Sequence, residues 1–363
     1  ERGSEDRNTP TLIDIGAAGT SMRFTTALLA VLPKEHDYLL TGSERMKHRP
    51  IGVLVDALRT LGADIEYAGE EGYPPLLIHS HPLRGGRLEV PGNISSQYIS
   101  ALLMIGAAMQ QGLQLKLTGK IVSRPYIDLT LHVMHEYGCD IEWTDIDTIT
   151  VAGQQYQERP YTIENDWSAA SYWYEMMALK RDTEAQVVLP GLHDASRQGD
   201  SVVRYLFSLL GVKTTFRDCG AVLTYHPCDM QHMDYDFSNQ PDLAQTVVVA
   251  CCALSIKFHF TGLSTLKIKE TDRIEALKTE LRKVGYVIHD SNDSELTWDG
   301  ERCEPQHDPA IDTYEDHRMA LAFAPLALTM GQIRINNPEV VSKSYPHYWD
   351  DLRKAGFGVI HNS

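Results

Sequence analysis

One local pattern occurs five times along this chain, and it restricts the possible fold more than any other feature. Each copy is an amphipathic helix that ends at a glycine and runs directly into an alternating strand. The copies are LVDALRTLGADIEY ending at Tyr67, TLHVMHEYGCDIEW ending at Trp143, VVRYLFSLLGVKTTF ending at Phe216, ALKTELRKVGYVIHD ending at Asp290, and YWDDLRKAGFGVIHN ending at Asn362. Their glycines, Gly62, Gly138, Gly211, Gly285 and Gly356, are separated by 76, 73, 74 and 71 residues. That period is too long for a solenoid and too even for chance, so each copy marks one small subdomain of mixed α/β structure. The intervening segments supply further strands and a second helix. In LEVPGNISSQYISALLMIGAAMQ, Leu88 to Val90 reads as strand and Ser95 onward as helix.

Length sets how these units group. With 363 residues, 43% of them hydrophobic, the chain exceeds what one core usually supports, and two domains are expected. The polar, aromatic stretch GQQYQERPY reads as a surface connector, and the pattern shifts near Tyr161-Thr162-Ile163-Glu164. The expected domains are therefore residues 1–162, with two units, and 163–363, with three. Symmetry asks for a third unit in the first domain, ahead of the first copy.

Thirty-three Lys and Arg against 49 Asp and Glu leave a net charge of −16, which argues against nucleic acid or an anionic membrane as partner. An anionic ligand would need a locally basic site. The six cysteines form no C-x-x-C pair, and Cys251-Cys252 sit in the apolar run Thr246 to Leu254, so reduced thiols in a cytoplasmic protein are expected. No apolar stretch reaches the roughly 20 residues of a membrane helix, and the opening ERGSEDRNTP is unlike an export signal.

Candidate chemistry sits at helix starts, where free N–H groups and the positive dipole end attract anions. In IGAAGTSMRF, Gly19 permits close backbone approach, and Thr20-Ser21 are expected to cap the helix that follows. In PGNISSQYISALL, Ser95 and Ser96 bring two hydroxyls to a helix start, and Gln97 adds an amide. In SNQPDLAQTVVVACCAL, Pro241 suits the first turn, and Asp242 is either a cap or a general base. In STLKIKETDRIEALKTELRKVG, the face of Ile274, Leu277, Leu281 and Val284 predicts a helix from about Asp272, with Lys269, Glu270 and Arg273 at its entrance. RMKHRPIG places Arg45, Lys47 and Arg49 on alternate positions ahead of a helix, and DHRMALAF places Arg318 at the start of another. Arginine suits bidentate contacts to carboxylate and phosphate. Any one of these charges alone reads as a solvated surface, but their recurrence at equivalent points of a repeated unit predicts a site for polyanions. His132-Val133-Met134-His135-Glu136 fits no zinc pattern, and neither a P-loop nor a dinucleotide fingerprint is present.

The strings AAGTSMR, RMKHRPIG, ISSQY, IVSRPYIDLTL, KIKETDRI, YEDHRMA and SKSYP resemble, in order and spacing, the motifs of the 5-enolpyruvylshikimate-3-phosphate synthase family. The resemblance runs from about Leu12 to about Gly358. It implies two domains, each of three βαβαββ units, with helix N-termini converging on a cleft. It also implies transfer of the enolpyruvyl group of phosphoenolpyruvate to the 5-hydroxyl of shikimate 3-phosphate, through a tetrahedral intermediate and without metal or organic cofactor, by a monomer.

Carried onto this sequence, the resemblance implies that Arg49, Gln97, Arg273, Arg318 and Lys343 hold phosphoenolpyruvate, with the Gly19 backbone close by. Ser95, Ser96, Ser123, Asp242 and Lys269 would line the shikimate 3-phosphate site, with Tyr126 beside it. Asp242 would take the proton of the attacking hydroxyl, and Glu270 with Lys343 would move the proton at the enolpyruvyl group. Ala17 and Phe24 stand where the family has Asn and Pro, and Thr265 where it often has Asn. The family's opening Ser-Lys-Ser segment does not precede Leu12, so a chain beginning at Glu1 is expected to turn over little or not at all. Two other readings are a ligand-binding module that keeps Ser95, Ser96 and Ser123 without catalysis, and a UDP-N-acetylglucosamine enolpyruvyl transferase. The reactive-Cys loop of the latter is not recognisable here.

Overall fold

The computed structural model describes residues 9–360, so most of the polar opening stretch and Asn362 lie outside the described residues. The chain divides into two compact units, Glu1–Tyr161 and Thr162–Ser363.

The first unit runs β1 (Thr11–Asp14), α1 (Gly19–Val31), β2 (His36–Thr41), α2 (Glu44–Lys47), α3 (Gly52–Thr60), β3 (Asp64–Tyr67) and β4 (Leu76–Ser80). A second round follows: β5 (Gly86–Pro91), α4 (Ser96–Gly106), β6 (Leu113–Thr118), α5 (Arg124–Glu136), β7 (Ile141–Asp145) and β8 (Thr148–Val151). The two sheets have the same strand order, β1-β2-β4-β3 and β5-β6-β8-β7. In each, the first two strands are parallel and the others antiparallel. A parallel pair needs a crossover, and α1 and α4 supply it.

The second unit contains α6 (Trp167–Lys180), β9 (Gln186–Leu189), α7 (Val203–Ser208), β10 (Val212–Arg217) and β11 (Gly220–Tyr225). It continues through β12 (His232–Asp236), α8 (Ala244–Leu254), β13 (Lys257–Thr261), α9 (Arg273–Lys283), β14 (His289–Ser291) and β15 (Glu295–Trp298). Last come β16 (Ala310–Ile311), α10 (His317–Phe323), α11 (Ala327–Met330), β17 (Arg334–Ile335) and α12 (Tyr348–Lys354). The sheet β12-β13-β15-β14 repeats the order of the first unit, whereas β9 joins only the β10–β11 hairpin and β16 pairs only with β17. The period read from the sequence is thus a βαβαββ module. Among the described residues the third copy is without its first strand and the fifth without its closing hairpin.

All five repeat glycines have φ between +77° and +98°, the left-handed turn that lets a helix stop and the chain reverse into a strand. Strands follow at once after Gly62 and Gly211 and a few residues after Gly138. Two copies depart from expectation. After Gly285, Tyr286 makes only an isolated bridge to Arg302 and the strand begins at His289; after Gly356 there is no strand among the described residues.

The helix α8 is apolar nearly all round. In α8, Val247 through Cys252 are fully buried, and burial pushes both thiols above their usual range. All six cysteines are free. The carboxyl of Glu175, on α6, is also fully buried, and neither oxygen has a hydrogen-bond partner. Burial raises its pKa well above the ordinary value, so the folded protein keeps a proton that the unfolded chain releases above the usual carboxylate pKa. Stability therefore falls as pH rises from that range toward the folded-state pKa. Glu175→Met is expected to stabilise the protein by about 1–3 kcal/mol at neutral pH, with the gain shrinking in acid. Melting temperatures of both proteins across pH check this, and parallel pH curves would contradict it.

Candidate functional site

In the second unit the charged residues singled out at three helix entrances come together. Asp242 lies in the 3-10 turn Pro241–Leu243 that leads into α8, Arg273 opens α9, and Arg318 is in the first turn of α10. The acidic N-caps Asp272 and Asp316 fix the last two starts by accepting from the backbone N–H groups of Glu275 (3.2 Å) and Arg318 (2.9 Å).

Arg273 is 1% exposed, yet fully charged, because carboxylates surround it. Its Nε donates to Asp316 at 2.7 Å, Nη1 to Asp242 at 3.0 Å and Nη2 to Glu270 at 3.0 Å. Burial opposes the charge, but Asp316, Asp242 and Glu270 outweigh it and hold the guanidinium pKa above its usual value. Arg318 donates through Nη2 to Asp242 at 3.0 Å and through Nη1 to the Tyr172 hydroxyl at 3.3 Å, while its buried Nε has no partner. Lys269 Nζ is 3.3 Å from Asp242, and Lys343 Nζ donates to Glu270 at 2.7 Å.

The balance is four cations, Lys269, Arg273, Arg318 and Lys343, around three carboxylates, Asp242, Glu270 and Asp316. Without a ligand the cations are mostly neutralised from within. Burial pushes the Asp242 pKa up, but Arg318, Lys269 and Arg273 win and hold it well below the usual carboxylate range. His317, 7% exposed, is pulled down to about 4 by burial and by Arg318, so it is a neutral imidazole at ordinary pH. Asp242 is therefore no helix cap: its oxygens go to the arginines rather than to the backbone.

The first unit brings together a second set. Gly19 is the first residue of α1, and a Cβ there would overlap Nη1 of both Arg23 and Arg49. Ser95 caps α4, accepting from the Gln97 backbone at 3.4 Å, and the Gln97 side chain donates to Thr20 Oγ1 at 3.0 Å. Ser96 is the first residue of α4. Ser123 caps α5 in a left-handed conformation (φ 55°), is buried, and makes no side-chain bond to the helix end. A positive φ at serine is strained, and such strain is retained where the surroundings require it. Tyr126 follows in the first turn of α5, its N–H donating to the Ser123 carbonyl at 3.1 Å.

Two sequence expectations need correction. Thr20 and Ser21 do not cap α1; its N-cap is Ala18, with no side-chain bond, and Thr20 serves Gln97 instead. Arg45 and Lys47 lie within the short helix α2, ahead of α3, but Lys47 does not join the anion-facing set expected of it. Lys47 is spent on a surface pair with Glu44 at 2.6 Å. Sequence reasoning also missed Arg23, Tyr172, Asp316 and His317 as members of the two clusters. Arg23 is legible in retrospect as the residue one helical turn after Gly19.

Solved structures share this fold. A solved EPSP synthase from Acinetobacter baumannii superposes with a TM-score of 0.73 at 23% identity, covering 95% of this chain and 79% of that one. The enolpyruvyl transferase NikO from Streptomyces tendae gives 0.61 at 17% identity, over 85% of this chain and 72% of that one. At those identities the likeness establishes the fold. A 3-phosphoshikimate 1-carboxyvinyltransferase from Bacteroides fragilis is 56% identical over 348 residues, 96% of this chain and 84% of its own length. One from Photobacterium profundum is 38% identical over 340 residues, 93% of this chain and 77% of its own length. A family model described as EPSP synthase (3-phosphoshikimate 1-carboxyvinyltransferase) matches residues 2–352, and the chain belongs to that family of transferases.

Proposed function

We propose that the protein transfers the enolpyruvyl group of phosphoenolpyruvate to the 5-hydroxyl of shikimate 3-phosphate and releases phosphate. The observation that carries the reading is the Asp242 carboxylate clamped between Arg273 and Arg318, both at 3.0 Å, with Lys269 at 3.3 Å. These cations suit the carboxylate of an incoming substrate as well as they suit Asp242. A substrate carboxylate that takes over Arg273 and Arg318 removes the charges that depress Asp242 and turns an inert carboxylate into a usable base.

The steps then balance. Asp242 accepts the proton of the 5-hydroxyl as its oxygen bonds to C2 of phosphoenolpyruvate, while a proton is added to C3. We assign that proton transfer to Glu270 with Lys343; Glu270 is held between Lys343 at 2.7 Å and Arg273 at 3.0 Å, which supports the assignment. Collapse of the tetrahedral adduct breaks the C2–O bond to phosphate and returns the C3 proton. Lys343, Arg273 and Arg318 stabilise negative charge throughout, without rearranging as it develops. In the first unit we assign Gly19, Arg49 and Gln97 to phosphoenolpyruvate and Ser95, Ser96, Ser123 and Tyr126 to shikimate 3-phosphate; in the second unit we assign Arg273, Arg318 and Lys343 to the former and Lys269 and Asp242 to the latter. We assign the two domains to residues 1–162 and 163–363. No helix among the described residues is long and apolar enough to cross a membrane, and the free cysteines suit a cytoplasmic enzyme. We assign a monomer on the family resemblance.

Phosphate release from phosphoenolpyruvate, measured with and without shikimate 3-phosphate on the protein as its gene encodes it, tests the proposal. Release that requires both substrates is expected. Tight binding of shikimate 3-phosphate without release would instead favour a ligand-binding module.

A further inference from the structure

The chain reaches Arg318 through a turn that its own residues disfavour. Tyr314 and Glu315 are consecutive non-glycine residues with φ of 53° and 57°. Left-handed backbone is uncommon at a tyrosine or a glutamate, and two such residues in succession persist only where the surroundings impose them. The turn closes with the Asp316 N–H donating to the Thr313 carbonyl at 2.8 Å. Asp316 then caps α10, and Arg318 reaches from the first turn of that helix to Asp242. The direction in which Arg318 points is therefore set by the two strained residues ahead of it.

One face of α9 imposes that strain. Arg273 and Glu280 both lie on α9, about two helical turns apart, and so share a face. Arg273 holds the far end of the turn through Asp316 at 2.7 Å. Glu280, 0% exposed, holds the near end. Its Oε1 accepts from the Tyr314 hydroxyl at 2.6 Å, and its Oε2 accepts from the Asp312 backbone N–H at 3.0 Å. Lys283, one turn further along α9, balances the buried charge, with Nζ 2.8 Å from Glu280 and 2.7 Å from Asp312. A carboxylate buried in this way is costly unless its partners are fixed, and the partners of Glu280 are the strained segment and the lysine bound to that segment. The helix that supplies Arg273 to the charged cluster thus also fastens the chain that supplies Arg318.

We propose that Tyr314 and Glu280 are positioning residues that latch the left-handed turn at Tyr314 and Glu315 and thereby aim Arg318 into the cluster around Asp242. The effect on phosphoenolpyruvate rests on the function proposed above; the placement of Arg318 by the latch does not. A hydroxyl donating to a buried carboxylate at 2.6 Å is a charge-assisted bond of the stronger kind. It offsets the strain, so the turn stays left-handed in the empty protein and Arg318 is in place before a substrate arrives. Without the hydroxyl the turn relaxes, and the start of α10 shifts with Arg318.

Tyr314→Phe, in the protein as its gene encodes it, removes the hydroxyl and nothing else. Its kcat/KM for phosphoenolpyruvate is expected to fall about 10-fold, the size of one hydrogen bond to a charged group. A loss of stability accompanies the change, so the kinetics are measured well below the melting temperature of the variant. Rescue at the neighbouring position decides the cause. Asparagine tolerates left-handed backbone better than glutamine, while both remove the charge of Glu315. Glu315→Asn added to Tyr314→Phe should restore most of the lost kcat/KM, and Glu315→Gln should restore none. Glu315→Asn alone should raise the melting temperature and leave kcat/KM unchanged. A Tyr314→Phe protein with undiminished kcat/KM would overturn the proposal and leave the hydroxyl a matter of stability alone. Equal rescue by asparagine and glutamine would overturn it too, because charge rather than backbone would then be the cause. A crystal structure of ligand-free Tyr314→Phe reads the latch without turnover. A negative φ at Glu315 and an Arg318 parted from Asp242 are expected there, and an unmoved Arg318 refutes the latch. If the unaltered protein shows no turnover and Arg318 is displaced in that structure, the function proposed above fails and the latch stands.

Discussion

Arg273→Met is expected to cost about 3–5 kcal/mol of stability in the second unit, more than any change at the surface of the molecule. The arginine side chain is 2% exposed and is the common partner of Asp316, Asp242 and Glu270. Methionine matches its length but leaves Asp316, itself fully buried, without its 2.7 Å ion pair. The penalty comes from the carboxylates left behind rather than from the lost arginine, since breaking a buried pair strands the partner. Two companion measurements separate these terms. Adding Asp316→Asn to Arg273→Met should return part of the loss, because the stranded charge is gone. Arg273→Lys keeps one charge and fewer donors, and is expected to lie between. Denaturant unfolding of the four proteins checks the order, and an Arg273→Met protein within about 1 kcal/mol of the parent would show that the network contributes little.

The fold was legible wherever apolar spacing and turn chemistry agreed. Ile274, Leu277 and Leu281 are 1%, 0% and 0% exposed, and the helix they predicted begins at its Asp272 cap. The repeat glycines were readable because a helix that stops at a left-handed residue nearly demands glycine there. The fifth copy failed because a strand exists only through its partner: the sequence after Gly356 alternates, but no neighbouring strand pairs with it among the described residues. Local pattern carries propensity, and pairing is a property of the sheet.

The site divides along the same line. Helix entrances carrying Asp242, Arg273 and Arg318 were identifiable because their charges sit beside apolar runs. Their interlocking was not, since nothing local shows that Asp316 lies 2.7 Å from an arginine 43 positions earlier. Arg23 and Glu175 are the instructive misses. A charged residue within a helix reads as a solvent-facing position, and only the packing of Arg23 against Gly19 and of Glu175 within the core shows otherwise. Thr20 was misread for the opposite reason. A hydroxyl near a helix start is usually a cap, and here the side chain of Gln97, 77 positions away, claims it.

Asp242→Asn is expected to lower kcat about 10²- to 10⁴-fold, the usual contribution of a positioned general base, while KM for phosphoenolpyruvate stays the same or falls. The split follows from the dual engagement of this carboxylate. In the empty site Asp242 occupies donors of Arg273 and Arg318 at 3.0 Å each, so it competes with any substrate carboxylate that needs them. A neutral amide is a weaker rival, and the arginines become more available for substrate. The same amide cannot take the proton of the attacking hydroxyl. If Asp242 serves only to hold the arginines in position, its loss would let them drift and KM for phosphoenolpyruvate would climb with little change in kcat. The pH profile gives an independent reading. Exchange of Asp242 for a substrate carboxylate on Arg318 and Arg273 raises its pKa from the depressed value of the empty site. The acid limb of kcat should therefore lie at higher pH than the acid limb set by Asp242 in the free enzyme, and it should vanish in Asp242→Asn. Persistence of that limb in the variant would assign it to another group and remove Asp242 from the role of base.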